Sequence, residues 1–170
     1  PYDGLGNWIA YTNAEGRVYR MAYDALGRLV AATNALGHQV FANLYDPAGN
    51  LTNRTDGAGN TIAYSYDVLN RLVRRESGVG NRESAFGYDA VGNLLTASNE
   101  IATLSFGYDV MDRLAASTTS LSNATYNVSY ARDTGGLVTN LVYAPGKAVV
   151  RTYDPDGRLV AVSDWLGHTW

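Results

Sequence analysis

The stretch that decides the fold is Tyr23-Asp24-Ala25-Leu26-Gly27-Arg28-Leu29. It returns as Tyr45-Asp46-Pro47-Ala48-Gly49-Asn50-Leu51, as Tyr88-Asp89-Ala90-Val91-Gly92-Asn93-Leu94 and as Tyr153-Asp154-Pro155-Asp156-Gly157-Arg158-Leu159. Two further copies, from Tyr66-Asp67 to Leu72 and from Tyr108-Asp109 to Leu114, carry Asn70 and Asp112 in place of the glycine. Units start near residues 2, 23, 45, 66, 88, 108, 130 and 153, the one at Tyr130 being degenerate, with Ala131 where the others have Asp. Internal repetition at a fixed period marks an array of like supersecondary units.

A second signal falls midway in several units: Thr12 to Arg17, Thr33 to His38, Thr55 to Asn60 and Ser163 to His168. Both signals read Asp/Asn-x-x-Gly. The Asp or Asn side chain opens a type I turn by accepting a backbone bond from two residues on. The glycine then takes the left-handed position of a bulged hairpin, where Asn and Asp are the best substitutes. Two turns about ten residues apart leave runs of strand length between them. No window keeps apolar residues at helical spacing. The sequence therefore predicts an all-β chain of tandem antiparallel β-hairpins.

The turn geometry also predicts which residues face each other. Asp24 should oppose Arg28, Asp46 should oppose Asn50, and Asp154 should oppose Arg158. One step back, Tyr23 should oppose Leu29, Tyr66 Leu72 and Tyr108 Leu114. Opposed side chains share a face. One face should thus be a ladder of aromatic residues and leucine, continued by Tyr19, Met21, Ile62, Tyr64 and Phe106. The other should carry small residues and the Asp–Arg or Asp–Asn pairs. Eight such units make one sheet on the order of 75 Å wide, which twist should force to curve or spiral. Its raw strand edges would be sites of self-association.

Composition narrows function. A formal net charge of −3 gives no support for nucleic-acid binding, and no apolar run reaches the length of a membrane-crossing helix. The chain has no cysteine, hence neither disulfides nor thiolate metal sites. His38 and His168 follow turn glycines, where Arg17 and Asn60 stand in other units, so they read as exposed turn flanks rather than metal ligands or bases. Turn initiation accounts for the repeated Asp residues without calcium. An active site is singular, whereas Asp89 and Asp109 recur through the array, so no catalytic, metal or cofactor site is expected. The glycines lack the strand–loop–helix setting of a phosphate loop. The tyrosine ladder leaves one alternative, a surface that stacks sugars or meets a partner protein.

The recurrent YDxxGRL and YDxxGNL motif resembles the YD-repeat, or Rhs (rearrangement hotspot), family, and the resemblance extends over nearly the whole chain. That family includes bacterial polymorphic toxins, shell components of Tc toxins and the teneurin adhesion receptors. The resemblance implies a segment of a β-shell, cut from a longer chain, whose parent is secreted or displayed at a cell surface, with a bacterial source favoured. Its implied partners are the remaining repeats and a C-terminal toxin or other cargo, with glycans as the alternative. The aspartyl self-cleavage segment that closes toxin shells has no counterpart here. The residues implied to matter are architectural: Tyr23, Asp24, Gly27, Arg28, Leu29; Tyr45, Asp46, Gly49, Leu51; Tyr66, Asp67, Leu72; Tyr88, Asp89, Gly92, Leu94; Tyr108, Asp109, Leu114; and Tyr153, Asp154, Gly157, Arg158, Leu159.

Overall fold

The computed structural model describes residues 1–170 and contains strands and turns but no helix. Fifteen strands follow one another in sheet order as they do in the chain, without a crossover. The chain divides into two units, 1–84 and 85–170. The first holds β1 (Ala10–Thr12), β2 (Val18–Tyr23), β3 (Leu29–Thr33), β4 (Gln39–Tyr45), β5 (Leu51–Asp56), β6 (Thr61–Tyr66) and β7 (Leu72–Ser77). Strand β8 (Arg82–Tyr88) runs across the division. The second holds β9 (Leu94–Asn99), β10 (Ala102–Tyr108), β11 (Leu114–Leu121), β12 (Thr125–Arg132), β13 (Val138–Ala144), β14 (Lys147–Tyr153) and β15 (Leu159–Ser163).

The strands form where β-branched and aromatic residues alternate with small or polar ones. In β2, Tyr19, Met21 and Tyr23 are half-buried while Arg20 and Ala22 are exposed. In β14, Val149, Arg151 and Tyr153 are half-buried while Val150 and Thr152 are exposed. Burial goes no deeper than that. No apolar side chain in the chain is fully buried, and the only buried polar residue is Asn43, at 7% exposure. Neither unit is organised round a closed hydrophobic core. Ladder hydrogen bonds and cross-strand pairs on a half-covered face must carry the stability.

The register follows from the turns. In the first unit Tyr23 pairs with Leu29, Tyr45 with Leu51 and Tyr66 with Leu72. In the second Tyr108 pairs with Leu114 and Tyr153 with Leu159. In each case the register slips by one residue immediately before the tyrosine, as a bulged hairpin requires. The bulge residue has left-handed backbone: φ is 75° at Gly27, 93° at Gly49, 104° at Gly92 and 78° at Gly157. Asn70 and Asp112 adopt the same conformation at 60° and 57°.

The degenerate unit lies elsewhere than its sequence suggests. The turn does not follow Tyr130, which sits inside β12 opposite Leu141. It opens at Asp133, whose N–H donates to Leu137 O, with Gly136 at φ 90°. Arg132 therefore occupies the place of the tyrosine, paired with Val138 after the same one-residue slip. The expected start at 130 is corrected to 132. The eight-residue strands β11 and β12 take up the extra length.

Candidate functional site: the turn and its hydroxyl clamp

The chemistry of this chain is concentrated in one arrangement, repeated with variations along the array. Its first part is the turn carboxylate. Asp24 Oδ1 accepts the backbone N–H groups of Leu26 and Arg28 at 2.9 and 3.0 Å, while Oδ2 takes Arg28 Nε at 2.6 Å. Asp67 and Asp109 do the same with Arg71 and Arg113, whose Nε atoms lie at 2.7 and 2.8 Å. In Asp46 and Asp89 the side-chain donor is Asn50 or Asn93 Nδ2, at 3.0 and 2.9 Å. At the mid-unit turn of Asp164 it is His168 Nδ1, at 2.9 Å. Arg, Asn and His share the slot because each can place an N–H against the outer carboxylate oxygen. Arg158 departs from this: its guanidinium turns to Asp156, at 2.9 Å, and is 3.8 Å from Asp154.

These donors favour the charged carboxylate. The backbone N–H of the arginine four residues on is the largest influence holding Asp24, Asp67 and Asp109 below their usual value, followed on the lowering side by guanidinium and other backbone bonds. For Asp46 and Asp56 the side-chain amides of Asn50 and Asn60 come first. At Asp89 and Asp164 desolvation pushes upward, and the bonds from Asn93 and His168 outweigh it. A depressed carboxylate that accepts three hydrogen bonds is poorly suited to act as a general base.

The second part is the tyrosine hydroxyl, a role that facing-residue arguments did not reveal. Tyr45 OH donates to Leu29 O at 2.9 Å and Tyr66 OH to Leu51 O at 3.0 Å. Tyr108 OH donates to Leu94 O and Tyr153 OH to Val138 O, each at 2.9 Å. Tyr23 OH reaches Trp8 O at 3.0 Å. Each hydroxyl thus fastens its own unit to the residue that closes the preceding turn. The ring of Tyr45 is further covered by the Arg28 guanidinium at 4.8 Å. Arg132 at the corrected unit performs the same task, donating from Nη2 to Leu114 O and from Nη1 to Gly136 O, both at 3.2 Å. The signal was present in the sequence: tyrosine recurs where phenylalanine would serve a purely apolar ladder equally well.

The remaining expected residues take the same places. Tyr88 ends β8, Asp89 opens the next turn and Leu94 begins β9. His38 and His168 are exposed on turn flanks, and no three His, Asp or Glu side chains converge to hold a metal. Trp8, Tyr11 and Tyr19 stack on one another, with ring centroids 5.2 and 4.8 Å apart.

Comparison with known proteins matches these features. The RHS Repeat family profile matches residues 2–39 and 45–82. No curated relative matches the sequence. Among solved structures, TcdB2-TccC3 without its hypervariable C-terminal region superimposes with a TM-score of 0.77 at 20% identity, over 94% of this chain and 10% of that one. TcdB2-TccC3-TEV gives 0.76 at 18% identity, over 96% and 10%. A Photorhabdus luminescens Tc holotoxin pore with a mutated TccC3 gives 0.73 at 16% identity, over 96% and 12%. The chain thus spans about a tenth of the length of these neighbours, and at such identity the likeness is one of fold. Repeated motif, bulged register and a profile that matches within residues 2–82 make this chain similar to the RHS, or YD, repeat family.

Proposed function

We propose that this chain is a non-catalytic wall segment of an RHS-type shell that encloses a C-terminal toxin or other cargo of a secreted bacterial protein. The observation that carries the reading is the hydroxyl clamp. The same bond, at 2.9 to 3.0 Å, links five tyrosines to the units before them, so the specialised chemistry is spent on joining repeats. Surface area supports it. The chain exposes 11198 Å², against about 8,100 Å² for a compact globular chain of the same mass. A sheet with so much uncovered surface suits a partition with space or further protein on both sides. Its partners in this reading are further repeats of the same parent chain and the enclosed cargo.

Limited proteolysis of the full-length chain that carries these repeats tests the reading. Containment predicts that a segment C-terminal to the shell resists cleavage in the native protein. It should become sensitive when Gly157→Val opens a turn of the wall. Equal cleavage with and without that substitution would contradict containment.

A further inference from the structure

Successive turns touch each other through two positions that the motif itself leaves variable. These are the bulge position, fifth in YDxxGRL, and the residue after it. Over the first six units the sixth position alternates, Asn7, Arg28, Asn50, Arg71, Asn93, Arg113, and Leu137 then breaks the series before Arg158. The fifth is glycine except at Asn70 and Asp112, each of which follows a unit whose sixth residue is Asn.

The geometry gives the reason. Asn50 Nδ2 has two N–H groups. One binds its own Asp46 at 3.0 Å, and the other binds Asn70 Oδ1 of the next unit at 2.8 Å. Asn93 divides its amide likewise between Asp89 at 2.9 Å and Asp112 Oδ1 at 3.0 Å. Arginine is longer and forks differently. Arg28 Nε holds Asp24, while Nη1 reaches the backbone oxygen of Asp46 in the next turn at 3.0 Å. Arg113 lies over Gly136 so closely that a Cβ there would stand 2.6 Å from Nη1. A short donor thus meets a side chain that rises to it, and the long donor Arg113 meets a glycine that leaves it room. Asn7 faces Gly27 without such an acceptor, its Oδ1 lying 3.4 Å from where a Cβ would be, so this slot is open.

We infer that the sixth residue of one unit and the fifth of the next form a two-letter mating code, Asn with Asn or Asp and Arg with Gly, that sets which repeat follows which. Near-identical hairpins are prone to pair out of order, and register needs specification beyond a shared pattern. Because the sixth position alternates over the first six units, skipping one repeat sets Arg28 against Asn70, which is mismatched. The two matched family repeats begin at residues 2 and 45, two units apart, the period of this alternation. The code concerns order within the array and stands whether or not the array encloses cargo.

Two substitution cycles in the intact chain, read by native-state amide exchange, test it. Gly136→Asn should displace the Arg113 guanidinium and speed exchange in the turn from Asp133 to Leu137 about fivefold or more. Adding Arg113→Asn creates an Asn–Asn pair and should restore most of the protection. Asn50→Arg should likewise loosen the turn from Asp67 to Leu72, and Asn70→Gly should restore it. Where a single variant does not fold, recovery of folding in its double variant is the restoration. Restoration in both cycles is the expected result. A double variant no better protected than its worse single, in either cycle, would overturn the code.

Discussion

A tyrosine hydroxyl and a turn carboxylate do most of the specific work at the scale of single residues. Removing the hydroxyl alone isolates the clamp. Tyr66→Phe keeps the ring and deletes the bond to Leu51 O, and should cost about 1 kcal/mol in a urea melt. Tyr45→Phe should cost less, because Asn43 Nδ2 also donates to Leu29 O, at 3.0 Å, and remains after the hydroxyl is gone. Losses near zero in both variants would argue that the rings and not the hydroxyls join the units. The carboxylates predict a pH dependence. Asp24, Asp46, Asp67 and Asp109 have folded values below their ordinary 3.8, so the fold favours their charged form. Their stabilisation is whole above the unfolded value and is lost as pH falls through the folded value. Urea midpoints should hold steady down to about pH 4 and drop below it. Asp67→Asn keeps a side-chain acceptor but removes the titration, and should make that drop shallower.

Hairpins are the elements, and their turns decide them. Gly157 holds φ at 78°, where a β-branched side chain is strained, so Gly157→Val should destabilise the chain by about 1–2 kcal/mol. His168→Ala removes one exposed bond to Asp164 and should cost less in the same thermal melt. The reverse order would count against the turn as the organising feature. This level was the most legible in the sequence. Asp-x-x-Gly spacing sets the bulge, and the bulge sets Tyr23 against Leu29 and Tyr108 against Leu114. It was less legible where the letters changed. Tyr130-Ala131 looks more like Tyr-Asp than Arg132-Asp133 does, yet the turn obeys the carboxylate and Gly136, which lie two residues on. An arginine can stand in for the tyrosine because the slot requires an N–H or O–H donor of sufficient reach. The hydroxyl bond itself was hidden for a related reason. A pattern of facing residues describes neighbouring strands, whereas this bond runs to a carbonyl 14 to 16 residues back.

At the scale of the molecule, stability without a closed hydrophobic core must be distributed. Repeats that touch mainly their neighbours add their contributions nearly independently. The recurrence of the motif was legible in the letters, and the hydroxyl bond recurs with it at Tyr23, Tyr45, Tyr66, Tyr108 and Tyr153. The central claim is that the array is held together link by link. Native-state hydrogen exchange on Tyr66→Phe, compared with the unaltered chain, tests it most directly. The account predicts faster exchange in β5, β6 and β7, beside the lost bond, with β1 to β3 keeping their protection. A uniform loss of protection from β1 to β7 would contradict it, because it would mean that the strands unfold together as one cooperative core.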